Sequence, residues 1–541
     1  MSVLDFVLYK HTSCMEKKEN MNEEDTPSSP SCNRNPSPPP HLQEQIESLE
    51  ADRIGNTTYS KHWLFTTLMK LIEEVEKEDE AEFGVDVDEE LQNELCKLWD
   101  MSMNTDVAKF LEKFKAVDIL TGVIQRSKAP RVTEICVGIL GNMACDSDIC
   151  ESLSKNQQLL KMVLLLLEGR DPPTLVETTR LMFTCLSCNQ AKSSWLEVIN
   201  SSESLHDHII FILQSSTNVD LLKNTGEFVD VLLDLQEDMC ENWATAEFVQ
   251  ALLEAIKQIG LSHSQQLEIY FRILQLLSTT DAGAEALVSC ADAVEKPLVK
   301  YLNTVCDDEI VGIENKESCI ASALSVLNIL FSSNEETSNR LIKDEKLIRV
   351  FVKILEPLYP WLQDIKKSTT DQSEKKRLLC ENSGNVEKTD LKRKNNDHAS
   401  DTDKESSFNS EIKEGLKQRD DKEFQHLEIL YHIVEGFVYD YMFTLQLMID
   451  SDSENESEEE TQKTDVTKFL SYLNDSCSRC RINYLVLTMK ESINEAFNPT
   501  ELLTDLAAKH KKERLARITA DALAGRNLDR SNSNTDSQNN T

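Results

Sequence analysis

The sequence predicts an all-α protein, an armadillo/HEAT-like right-handed superhelical repeat array with an unstructured N-terminus, insertion and C-terminal tail. Three observations carry this. Glycine is low at 14 of 541 residues and aromatics make up 6%, a composition that suits helices better than a sandwich or an α/β enzyme. Thr133 to Cys145 places Ile135, Ile139 and Met143 at helical spacing, with Cys136, Leu140 and Ala144 one step round. That apolar face is too wide for a surface helix. Similar runs then recur along the chain.

The elements follow in order. Residues 1–52 are rich in Pro, Ser, Asn and Glu, too polar to offset the entropy of ordering, so they are expected to be unstructured. Residues 53–105 are expected to be N-terminal capping helices. In the first, Ser60 caps a face of Trp63, Leu64, Leu68, Leu71 and Ile72; the second covers Leu91 to Trp99. Residues 106–362 are expected to be the repeats. A charged insertion is expected at 363–423, a repeat-like helix at 424–449, an acidic linker at 450–464, C-terminal helices at 465–526 and a polar tail at 527–541.

The inner helix of each repeat reads as an apolar run with one polar residue near its end. The polar marks are Asn142, Thr184, Asp234, Gln275 and Asn328, separated by 42, 50, 41 and 53 residues. The shorter gaps match the roughly 40–47-residue period of HEAT and armadillo units. After each mark comes a polar turn and a short helix, such as Ile149 to Leu153 or Trp195 to Ile199. A second apolar helix follows, such as Leu159 to Leu167 or Phe248 to Ile256. Pro130 and Pro172-Pro173 precede inner helices, where proline suits a first turn. Gly138 and Gly141 lie inside an inner helix, where each costs roughly 1 kcal/mol against alanine. They predict the close approach of a neighbouring repeat.

The formal charge of −38 opposes nucleic-acid binding. No apolar run reaches the ~20 residues of a membrane span, and no secretory signal is recognised. The fifteen cysteines mostly sit in apolar helical patterns and are read as reduced. These features point to the nucleus or cytoplasm.

Tyr59-Ser-Lys-His-Trp-Leu-Phe65, Trp99-Asp-Met-Ser-Met103, Glu134 to Cys145, Asp171-Pro-Pro-Thr-Leu175 and Ser215 to Leu222 resemble the serum amyloid A-like 1 protein family. The similarity is specific between about 33 and 280 and fades by about 360. The resemblance implies an armadillo-like helical protein, mainly nuclear, linked to promotion of cell proliferation and with no catalytic activity attached.

No catalytic residue, cofactor site or metal ligand set is expected. Cys185-Leu-Ser-Cys188 and Cys477-Ser-Arg-Cys480 could together supply four thiolates to zinc, but packing as small hydrophobes is the expected role. His206 and His208 lack ligand partners at useful spacing. The candidate partner-groove residues are Asn142, Thr184, Asp234, Gln275 and Asn328. An inner-helix amide can bind an extended peptide's backbone; the competing reading is that Asn142 satisfies a backbone group inside the stack. Lys375, Lys376, Arg377, Lys392, Arg393 and Lys394 are candidate localisation signals, and Lys509 to Arg517 is the most basic stretch. The expected function is a non-enzymatic scaffold that contacts protein partners carrying basic segments, with a many-client co-chaperone or transport adaptor as the alternative. Oligomeric state is left open.

Overall fold

A computed structural model describes residues 51–78, 87–307, 312–343, 345–382, 403–450, 465–494 and 496–524, with the backbone alone at 264, 364–382 and 403–424. The segment 1–50, the cluster Lys392, Arg393 and Lys394, the acidic stretch 451–464 and the tail 527–541 lie outside the described residues. Among the described residues the regular structure is helical, with no strand. The chain divides into two compact units, Met1–Trp243 and Ala244–Thr541.

Unit 1 opens with α1 (Lys61–Glu78) and α2 (Glu89–Met101). The predicted cap is present: Ser60 Oγ accepts from Trp63 N at 3.0 Å, and Asp52 accepts from His62 N at 2.8 Å. Leu64, Leu68, Leu71 and Val75 form the buried line of α1. Triplets of helices follow: α3 (Thr105–Lys113), α4 (Ala116–Arg126) and α5 (Pro130–Met143); α6 (Ser147–Ser154), α7 (Gln157–Leu166) and α8 (Pro172–Ser187); α9 (Lys192–Asn200), α10 (Leu205–Ser215) and α11 (Val219–Leu235). The unit ends in α12 (Glu237–Trp243). Asn104, Asp146, Asn156, Asp171 and Asn218 cap helix starts with their side-chain oxygens, each cap stabilising its helix by about 1 kcal/mol. The third helix of each triplet packs against its counterparts, α5 against α8 and α8 against α11. No triplet could bury its apolar face alone, so the stack makes the core.

Unit 2 continues the order with α13 (Ala246–Ile259), α14 (Ser264–Leu277), α15 (Asp281–Ser289), α16 (Ala291–Val305) and α17 (Glu317–Ser333). Next come α18 (Glu335–Lys343), α19 (Glu345–Asn382) and α20 (Asp403–Asp450). Its inner helices α14, α17 and α20 stack in that order. Phe351 and Phe437 meet edge to face at 5.0 Å, and Phe331 joins Phe437 at 5.4 Å. Helix α21 (465–471) runs into a π-helical turn, Tyr472–Ser476, followed by α22 (Arg479–Glu491), α23 (Pro499–Lys509) and α24 (Glu513–Leu523). Arg514 donates to the carbonyls of Asn474 and Cys477, and Asn474 Oδ1 accepts from Leu515 N at 3.0 Å. That clamp fixes the wide turn.

Of the span 363–423, residues 383–402 lie outside the described residues. Helix α19 runs on to Asn382 and α20 begins at Asp403. The buried first part of α19 supplies the nucleus, and good helix formers such as Lys375, Lys376 and Arg377 propagate it.

Candidate functional site

The inner helices carry one mainly polar line each in unit 1. On α5 and its C-terminal end the line is Arg131, Glu134, Gly138, Asn142 and Cys145. On α8 it is Glu177, Arg180, Thr184 and Ser187. On α11 it is Asp220, Lys223, Glu227, Asp230 and Asp234. Steps of three and four residues put each set on one face. The charges are arranged unevenly. Arg131 pairs with Glu134 at 2.5 Å and Arg180 with Glu177 at 2.5 Å, so α5 and α8 are balanced. On α11 a single lysine, Lys223, stands 3.9 Å from Glu227 among four carboxylates. Glu237, Asp238 and Glu241, all exposed, extend the acidic surface onto α12.

Cross-helix hydrogen bonds stitch these lines together. Asn142 Nδ2 donates to the Trp99 carbonyl at 2.9 Å and to Ser102 Oγ at 3.0 Å. Arg180 donates to the Gly138 carbonyl at 3.1 Å, and Asn224 Nδ2 to the Val176 carbonyl at 3.0 Å. The two glycines explain the closeness. A Cβ on Gly138 would lie 2.5 Å from Trp99 Nε1, and one on Gly141 would lie 2.8 Å from an Arg180 guanidinium nitrogen. Gly138 therefore admits the indole of α2, and Gly141 admits the arginine of α8.

The five predicted groove residues have different surroundings. Asn142 bonds within the stack. Thr184 Oγ1 donates to the Arg180 carbonyl of its own helix at 2.9 Å. Asp234 is exposed on the acidic line of α11. In unit 2, Gln275 accepts from Ser322 Oγ at 2.8 Å and donates to Ser325 Oγ at 3.4 Å. Asn328 Nδ2 donates to Asp440 Oδ2 at 3.0 Å. Burial pushes the Asp440 carboxyl up, against the lowering effect of Asn328. These amides are thus occupied by neighbouring helices. Arg180, Asn224 and Asp440, which make equivalent links, were missed because their partners lie more than forty residues away in sequence.

The predicted thiols are also resolved in place. Cys185 and Cys188 are buried, while Cys477 is buried and Cys480 exposed. The structure adds Cys150 of α6 to the first pair. Its thiol interacts with those of Cys185 and Cys188, and Cys185 together with burial pushes Cys150 up. No group of three or more His, Cys, Asp or Glu side chains suits a metal ion among the described residues. His206 packs its ring 5.1 Å from that of Trp243. Lys375, Lys376 and Arg377 lie on the backbone of α19. In the basic stretch, Lys512 is bonded to Ser471 at 2.7 Å and Arg514 to the π-helical turn, leaving Lys509, Lys511 and Arg517 as its exposed cations. No helix among the described residues is long and apolar enough to cross a membrane.

Fold and site together define an all-α helical-repeat protein, with inner helices stitched by side-chain amides and guanidinium groups and an acidic line on α11. The SAAL1 C-terminal domain profile matches residues 205–477. The chain is 44% identical to Protein saal1 of Danio rerio over 327 residues, 57% of this chain and 70% of that one. It is 42% identical to Protein SAAL1 of Mus musculus over 359 residues, covering 60% and 76%, and 39% identical to Protein SAAL1 of Homo sapiens over 371 residues, covering 63% and 77%. The chain belongs to the SAAL1 family. A solved engineered protein aligns at a TM-score of 0.35 and 14% identity, over 49% of this chain and 99% of its own, too distant to bear on the argument.

Proposed function

We propose that the chain is a non-enzymatic interaction protein whose unit 1 binds a basic segment of a protein partner along α11. The observation that carries this is the acidic surface made by exposed Asp220 and Asp234 of α11 and exposed Glu237, Asp238 and Glu241 of α12, on helices whose one lysine is Lys223. The lines of α5 and α8 carry a cation for each carboxylate of their ion pairs, whereas the sequence of α11 and α12 holds more carboxylates than cations. A row of carboxylates steers and orients a cationic partner more than it adds raw affinity. The partner is a lysine- or arginine-rich polypeptide segment, and the setting we propose is the nucleus, in support of cell proliferation.

The test is a polarisation titration of the full chain with a labelled lysine- and arginine-rich dodecapeptide, at low and at physiological salt. Saturable binding should weaken with salt and fall at least roughly tenfold in Asp220→Lys/Asp234→Lys. Affinity capture with the same pair of proteins should lose a small set of basic partners together. Retention of peptide affinity by the charge-reversed protein would refute the site. Capture of a broad client set, unchanged by the substitutions, would favour a general adaptor instead.

A further inference from the structure

At the N-terminal end of unit 1 three phenylalanines form an open cluster. Phe65 of α1 lies 4.6 Å from Phe114 and 5.9 Å from Phe110, and Phe110 lies 4.6 Å from Phe114, centroid to centroid. Phe65 is 37% exposed, Phe114 43%, and Met69, one turn beyond Phe65, 55%. The end of a repeat array ordinarily carries a polar outer face, because no further repeat covers it. Here exposed Phe65 and Phe114 with partly exposed Phe110 make a contiguous apolar patch among polar neighbours such as His62 and Thr66, and contiguous exposed apolar surface marks interaction sites.

We propose that residues Val3 to Tyr9 of the same chain dock on this patch. Two observations single out that occupant. The described chain begins beside the patch: the Ala51 carbonyl accepts from Lys61 Nζ at 2.8 Å, and Asp52 holds the first turn of α1, one helical turn before Phe65. Within residues 1–50 the densest run of large apolar side chains is Val3, Leu4, Phe6, Val7, Leu8 and Tyr9. Leu4, Val7 and Leu8 stand at the spacing of one helical face. Residues 10–50 can span roughly 140 Å when extended, so the tether does not limit reach and holds the segment at an effective concentration on the millimolar scale. Exposed Lys113 and Lys115 flank Phe114 and suit Asp5 of the segment. The docking needs no acidic line on α11, so it stands or falls separately from the partner site.

The experiment places the photocrosslinker p-benzoylphenylalanine at position 6 of the full chain, in an equal mixture of light and nitrogen-15-labelled protein. Crosslinks should join Phe6 to peptides containing 65–69 or 110–114 of the same isotope, with a yield independent of concentration. Leu4→Ser/Val7→Ser/Leu8→Ser should lower that yield at least roughly tenfold and speed hydrogen exchange across 61–69 and 105–114. Thermal unfolding of the triple variant should match the parent, which separates loss of docking from loss of the fold. Met69→Glu, at the most exposed position, is the reciprocal variant. Crosslinks between light and heavy chains would show that a second copy supplies the segment, and would overturn the proposal. So would crosslinks that avoid the patch, or exchange rates unmoved by the triple change.

Discussion

Replacing Gly138 tests the stacking of the inner helices most directly. Its Cβ would lie 2.5 Å from Trp99 Nε1, with two further indole atoms closer still. Valine adds two methyl groups to that clash. Two outcomes are open to the fold. Overpacking with small shifts costs typically 1–3 kcal/mol. Expelling the half-buried indole forfeits its packing, worth roughly 1.5–3 kcal/mol for a large apolar side chain. Against either stands the gain of replacing glycine inside a helix, about 0.4 kcal/mol for valine and up to about 1 for alanine. The net expectation for Gly138→Val is a loss of about 1–2.5 kcal/mol. For a unit of this size that lowers the melting temperature by roughly 2–10 °C. The assay is thermal and urea unfolding monitored by helical circular dichroism, with a double-mutant cycle on Trp99. In a Trp99→Ala background the clash partner is gone, so Gly138→Ala should become neutral or stabilising, with a coupling of at least roughly 1 kcal/mol. An additive cycle, or a Gly138→Val protein that melts with the parent, would refute the reasoning.

Three further outcomes follow from particular contacts. Asn142→Leu should cost about 1 kcal/mol in urea unfolding, because it removes two donors to Trp99 and Ser102; if it also weakens the dodecapeptide, Asn142 serves the partner as well. Glu295→Ala should cost roughly 1–3 kcal/mol, since Glu295 Oε2 accepts from Arg340 Nε at 2.9 Å and from a terminal nitrogen at 2.6 Å; Arg340→Lys should lose less, and equal losses would argue against the forked pairing. Burial pushes Cys136 and Cys319 up to about 12 from 9.0. The folded state keeps those protons where the unfolded chain releases them, so stability should fall as pH rises from about 9 toward 12. At pH 8 an aromatic disulfide reagent should modify exposed Cys145 and Cys480 well before Cys136 and Cys319, and comparable rates for all four would contradict the buried setting.

The sequence by itself determined the helical class, the triplet order and most core positions. Ile135, Ile139 and Met143 are buried as their spacing requires, and the predicted short and second helices correspond to α6, α7, α9 and α13. These properties are local. A side chain's face is set by 3.6 residues per turn, and a cap by the three residues that follow it. Gly138 was legible too, because a glycine kept in a buried helix signals a close neighbour.

Only the tertiary structure decided which side chains meet. The polar marks share a place near the end of an apolar run, yet Asn142 reaches back to Trp99, Thr184 stays on its own helix and Asp234 is exposed. Cys150 joins Cys185 and Cys188 across two helices, and three phenylalanines from α1 and the end of α3 form the terminal patch. Such meetings depend on the register between neighbouring helices. Loop lengths and side-chain volumes set that register, and neither repeats evenly when the inner-helix marks fall 42, 50, 41 and 53 residues apart. Periodicity therefore fixes the face on which a residue lies, and packing alone fixes what it faces.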